Sequence, residues 1–187
     1  MIGFVLAMLG FAIYSNTFSS PFVFDDFAAI GNRAIRHFDL PVLWHAFNTR
    51  FVVGLSLAFN YALGKENVTG YHLFNTLIHI LNSYLLYRLM RLIFRTSKNP
   101  PLADSKLLSF LTALLFLVHP VQTQAVTYIW QRATSLASFF YLGSLVFYIR
   151  ARLKNSLWDY AICLLFAVLG MFTKEIVFTL PFAIALY

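Results

Sequence analysis

The chain has 187 residues, of which 60% are hydrophobic, 18% aromatic and only 11% charged, with a net charge of +7 and a mean hydropathy of +0.72. Soluble domains are about half apolar and about a quarter charged, so a soluble globular enzyme and a disordered chain are both excluded. The single cysteine, Cys163, excludes an intrachain disulfide and any C-x-x-C redox or zinc site.

No charge occurs in residues 1–24. Residues 1–18 predict a first membrane span of about 27 Å. A cleaved signal peptide is the rival reading, but no basic segment precedes the apolar run. Residues 19–70 form a polar loop carrying Asp25, Asp26, Arg33, Arg36, His37, Asp39, His45, Arg50, Lys65 and Glu66. Within it, residues 51–63 are apolar but too short to span, and read as an interfacial or re-entrant helix.

Residues 71–94 predict a second span, with Pro100 and Pro101 in the turn that follows it. The third span covers residues 103–120 and ends or bends at His119-Pro120. A short amphipathic stretch, 121–132, leads to a fourth span at 133–149. The basic turn Arg150 to Lys154 precedes a fifth span at 158–172. Thr173, Lys174 and Glu175 then interrupt the apolar run, and residues 176–187 open a sixth span too short to cross a bilayer of about 30 Å. The expected fold is all-α, a polytopic transmembrane bundle of five to six helices. Residues 1–187 are expected to form one truncated transmembrane domain, with its first outer loop at about 19–70.

Charge placement orients the chain. Arg88, Arg91, Arg95, Lys98, Lys106, Arg150, Arg152 and Lys154 fall at the turns after spans two and four, against only Asp104 and Asp159. The positive-inside rule makes that side cytoplasmic, together with the amino terminus. The positive charge is then a topology signal, and nucleic acid is not an expected partner. Charges cluster at helix ends rather than at the bilayer midplane, which speaks against a transporter or channel.

With this topology, polar groups from separate segments converge on the outer face. They are Asp25 and Asp26, His72 and Asn75, His119, Gln122 and Gln124, Arg132, and Lys174 with Glu175. Ionisable groups at membrane depth are costly and mark functional sites. Adjacent carboxylates between aromatic residues repel one another, which raises one pKa and suits a general base. The same pair could instead bind a divalent cation or cap a helix.

His72, Asn75 and His79 share one helical face. They make half a metal site at most, since zinc needs about three protein ligands. No residue is assigned to a metal, and an interhelical hydrogen bond is the stronger reading for His79. Lys174 could pair with Glu175 or meet a lipid phosphate. Arg132 is a second phosphate candidate, because a guanidinium matches phosphate geometry. Asn67-Val68-Thr69 is a glycosylation sequon on the outer side.

The runs PFVFDDFAAIGN, GYHLFNTLIHILNSYLLYRL, HPVQTQAVTYIWQRATSLA and LGMFTKEIVFTLP resemble the membrane half of the TMTC-type proteins, which belong with the protein O-mannosyltransferases in the GT-C superfamily. The resemblance covers about residues 18–181. It implies a glycosyltransferase that takes a sugar from a polyprenyl-phosphate donor, such as dolichyl-phosphate mannose, and passes it to a protein hydroxyl on the outer face. It would make Asp25 the base and Asp26 an orienting group, with His119, Gln124, Arg132, Lys174 and Glu175 around the donor.

The expected location is multi-pass, in a bacterial inner membrane or the endoplasmic reticulum. Expected partners are membrane lipid, the lipid-phosphate sugar, an acceptor protein and other membrane subunits. No cofactor is expected for certain, and a divalent metal is compatible. Family members carry more membrane helices and then tetratricopeptide repeats, whereas no 34-residue repeat occurs here. The family often has Arg-Pro where this chain has Arg50-Phe51. The alternative is a non-catalytic scaffold subunit of a larger complex.

Overall fold

The computed structural model describes residues 1–97 and 104–187, and every element among them is helical. The expected turn at Pro100 and Pro101, with Lys98, lies outside the described residues. The α-helices are α1 (Ile2–Tyr14), α2 (Asp25–Gly31), α3 (Arg33–His37), α4 (Leu40–Phe47), α5 (Phe51–Gly64) and α6 (Val68–Thr96). They continue as α7 (Ser105–Val118), α8 (Thr123–Thr127), α9 (Arg132–Lys154), α10 (Leu157–Met171) and α11 (Leu180–Ala185).

Helix starts follow local chemistry. Asn32, Asp39, Asn67 and Asp104 each accept a first-turn backbone N–H through a side-chain oxygen, and Ser156 does so through its hydroxyl. Asn155, with φ 51°, ends α9 in a left-handed cap just after the basic residues Arg152 and Lys154.

Among the described residues, Leu40–Gly64, Val68–Thr96 and Ile129–Lys154 are long and apolar enough to cross a membrane. Ser105–Val118 and Pro120–Thr127 pass that test only as a pair, bent by 51°. The bend falls at His119-Pro120, where the residue before proline leaves the α region (φ −67°, ψ 128°). Ile2–Thr17, Leu157–Met171 and Glu175–Ala185 are apolar but shorter.

The largest difference from the sequence reading is residues 40–64. Only 51–63 was expected to be an apolar helix, yet α4 extends the apolar stretch upstream. The chain bends at Asn48, whose φ is 42°. A Cβ at Gly54 would lie 2.5 Å from the Phe47 ring, so glycine is what lets α4 fold closely onto α5.

Cross-helix contacts fix the helix directions. Tyr71, Ile78 and Leu89 of α6 meet successive parts of the Arg132-to-Ile149 stretch, so α6 and α9 run parallel. His79 Nε2 lies 3.1 Å from the Leu117 carbonyl, and Ser83 donates to Ala113 O, so α7 runs against α6. Gly3 beside Tyr84 and Tyr14 beside His79 set α1 antiparallel to α6. Ser144 bonded to Cys163, and Arg150 paired with Asp159 at 3.1 Å, set α10 antiparallel to α9. Arg88, Arg91, Arg95, Lys106, Arg150, Arg152 and Lys154 therefore gather at one end of the bundle. The acidic pair and Lys174 lie at the other.

The α6 seam is polar. His72, Asn75, His79, Asn82 and Ser83 are all buried, and each meets a backbone carbonyl of another segment. Such bonds hold helices together where lipid cannot supply partners. After residue 172 the chain turns back. A 3₁₀ turn (Glu175–Thr179) and α11 return along α9, until the Tyr187 hydroxyl meets Thr96 Oγ1 at 2.9 Å.

Candidate functional site

Helix α2 begins where the chain is forced into a tight corner. Phe24 holds φ 47°, ψ −119°, and the helix opens directly on Asp25-Asp26. Two carboxylates in the first turn suit the positive end of a helix. Consecutive helical side chains diverge by about 100°, and the pair splits accordingly. Asp26 turns inward and is 1% exposed. Its Oδ2 accepts from Val23 N at 3.1 Å and its Oδ1 from Trp130 N at 2.8 Å. Asp25 stays exposed, and its Oδ2 accepts from the Tyr128 hydroxyl at 3.0 Å.

Burial raises the Asp26 carboxyl above its ordinary 3.8, and the amides of Val23 and Trp130 oppose that shift. The folded chain thus holds this proton to higher pH than the unfolded chain. The stability Asp26 contributes is greatest in acid and is lost as pH rises through the folded-state value, above 3.8. Asp26→Asn does not titrate. The melting-temperature advantage of wild type over this variant should shrink as pH rises across that window, and a constant gap would contradict the assignment.

Asp25 borders a cleft of about 350 Å³ lined by Ala28, Asn32, Phe47, Arg50 and Trp130. Arg50 also pairs with Glu175 at 3.3 Å. The bond to its own backbone N–H, and then the bond to Arg50, hold the Glu175 carboxyl below its usual range. Lys174 does not pair with Glu175 as the sequence suggested. Its Nζ donates to Thr134 Oγ1 at 2.7 Å, and Thr134 donates to Gln131 Oε1 at 2.6 Å. A polar belt thus runs from the Asp25 cleft through Arg50 and Glu175 to Lys174.

Other sequence candidates lie elsewhere. His72 and Asn75 are buried, His72 with Nε2 3.0 Å from the Ser20 carbonyl and Asn75 donating to Val126 O. Arg132 is wholly buried. It donates to Asn75 Oδ1 at 2.7 Å, to Ser56 O at 3.1 Å and to Tyr71 O at 3.1 Å, and it sits 4.5 Å from the Phe74 ring centroid. It ties α5, α6 and α9 together. His119 is exposed, and its Nδ1 accepts from Val121 N. Gln122 is half-buried and Gln124 exposed on the same turn. Among the described residues, no three His, Cys, Asp or Glu side chains group as a metal site.

Arg50, Tyr128 and Trp130 were missing from the sequence-derived site. Arg50 carried a usable signal, since it is a lone charge before an apolar run and stands at the resemblance's Arg-Pro position. Tyr128 and Trp130 carried none, because their role depends on a contact 103 or 104 residues away.

Comparison with known proteins adds names to this geometry. The chain is 30% identical to mouse protein O-mannosyl-transferase TMTC3 over 156 residues, covering 75% of the chain and 16% of that protein. It is 32% identical to human protein O-mannosyl-transferase TMTC4 over 167 residues, covering 79% of the chain and 22% of that protein. The chain is thus similar to the TMTC-type protein O-mannosyl-transferases. Protein O-mannosyl-transferase F38B6.6 of Caenorhabditis elegans is 27% identical over 97% of the chain and 27% of its own length. The chain thus spans about a fifth of the length of the mouse and human relatives. No family model matches it. No solved structure matches it.

Proposed function

We propose that the protein containing this chain is a GT-C-type glycosyltransferase. It moves a sugar, mannose by the names of its relatives, from a polyprenyl phosphate to a protein hydroxyl on the outer face of the membrane. The chain contributes a five- to six-span bundle as one transmembrane domain. The observation that carries this reading is an exposed carboxylate, Asp25, sharing a cleft with a cation, Arg50.

The chemistry follows from those two groups. Asp25 takes the proton of the acceptor hydroxyl as its oxygen attacks the anomeric carbon. The bond from that carbon to the lipid phosphate breaks, with inversion, and the phosphate leaves carrying the electron pair. Arg50, with Lys174 along the belt, neutralises the developing charge. Asp26 and Arg132 set the framework rather than touching substrate. His119, Gln122 and Gln124, on the turn after α7, are assigned to acceptor or sugar.

Mannosyl transfer from polyprenyl-phosphate mannose to an acceptor peptide, by membranes holding the full-length protein, tests the proposal. Arg50→Ala should lower this transfer by about 100-fold. The melting temperature should hardly move, because the Arg50–Glu175 pair is exposed (37% and 59%) and such pairs add little stability. Unchanged transfer would remove Arg50 from the site. The same assay on Asp25→Asn decides against a non-catalytic scaffold, which would not respond to that change.

A further inference from the structure

One short stretch of chain handles both acidic neighbours. The backbone amide of Trp130 holds Asp26 inward. Two residues earlier, the Tyr128 hydroxyl makes two bonds to one residue. It accepts from the Asp25 backbone N–H at 3.2 Å and donates to Asp25 Oδ2 at 3.0 Å. A group bonded at both its backbone and its carboxylate has few rotamers left. The Phe24 ring packs edge-on against Tyr128, with centroids 6.4 Å apart, so the contact is built rather than grazing. Among the described residues no donor reaches Asp25 Oδ1.

We infer that Tyr128 is a positioning residue, whose hydroxyl fixes Asp25 in the rotamer that leaves Oδ1 facing the cleft. This rests on the reading of Asp25 as the base. Oδ2 is committed to the phenol, and Oδ1 is free to receive a proton. The division explains why Asp25 sits at the first position of α2, where its own N–H lacks a helical partner and can be given to Tyr128. The phenol suits the task chemically. Desolvation first, and then the bond given to Asp25, raise Tyr128 above its ordinary 10.0, so it keeps its proton and stays a donor.

Tyr128→Phe in the full-length protein is the test. It should lower kcat for mannosyl transfer by about 10- to 100-fold with KM for the lipid donor unchanged, as expected for a misaimed catalytic group. A purely structural tyrosine would change the melting temperature and not split kcat from KM. In an Asp25→Asn background, adding Tyr128→Phe should reduce the residual rate no further, since Tyr128 acts through Asp25.

A second readout needs no turnover. The ultraviolet titration assigned to Tyr128, as the difference between protein with and without the Tyr128→Phe substitution, should move down towards 10.0 in Asp25→Asn. An unchanged kcat in Tyr128→Phe overturns the positioning role even if Asp25 proves essential. A Tyr128 titration that shifts as expected, together with full transfer by Asp25→Asn, leaves the contact intact and overturns the base assignment instead.

Discussion

Asp25→Asn is expected to cut mannosyl transfer by about 10²- to 10⁴-fold, the usual worth of a general base, while the protein inserts and melts as wild type. The substitution is close to isosteric. Its amide oxygen can still accept the Tyr128 hydroxyl, so the local geometry survives and only the proton-accepting capacity goes. Asp25 is exposed, so removing its charge uncovers no unsatisfied buried partner. Loss of rate without loss of stability is therefore the signature of chemistry at this residue.

The neighbouring variant makes the contrast. Asp26→Asn presents an N–H₂ to the amide of Val23 or of Trp130 and should show its main effect in stability. If Asp25→Asn transferred at the wild-type rate, neither the base assignment nor the glycosyltransferase reading of this cleft would stand. The Asp26 variant alone would then mark a structural turn.

The helical character was legible because apolar runs and sparse charge leave few alternatives in lipid. The basic end was legible too, since Arg88 to Arg95 and Arg150 to Lys154 were expected on one side, and the parallel packing of α6 and α9 puts them at one end. Local charge counting needs no tertiary knowledge.

What sequence could not show was which way a side chain faces. Only the resemblance told Asp25 from Asp26, yet the two differ completely in burial. For Lys174 the sequence offered a pair with adjacent Glu175 or a lipid phosphate. The fold instead sends the two side chains to Thr134 and Arg50, 40 and 125 residues away. Of residues 40–64, only 51–63 read on paper as an apolar helix, too short to span. Yet Asn48 supplies a bend within an apolar unit, and Asn60 is buried, donating to Gly70 O at 3.3 Å.

Arg132 is the sharpest case and carries the last prediction. As a basic residue near an expected outer face it read as a phosphate ligand. The structure puts it at 0% exposure with three acceptors from two other helices, α5 and α6. Arg132→Ala is expected to cost about 3–5 kcal/mol, because it leaves Asn75 Oδ1 and two carbonyls without their charged donor. Arg132→Lys should also destabilise, by more than about 2 kcal/mol, since one ammonium cannot reach three acceptors arranged for a planar fork.

Loss of a buried charge partner differs from loss of packing, and a double substitution separates them. Arg132→Met with Asn75→Leu removes donor and acceptor together, so it should recover part of the stability lost in Arg132→Met alone. The measurement is thermal unfolding of the purified protein in detergent, with donor binding read alongside. A clamp predicts that stability falls first and that donor affinity follows only through unfolding. A phosphate ligand predicts the reverse, with normal melting and lost affinity in Arg132→Lys. That second outcome would return Arg132 to the donor site and require the bundle to open around it.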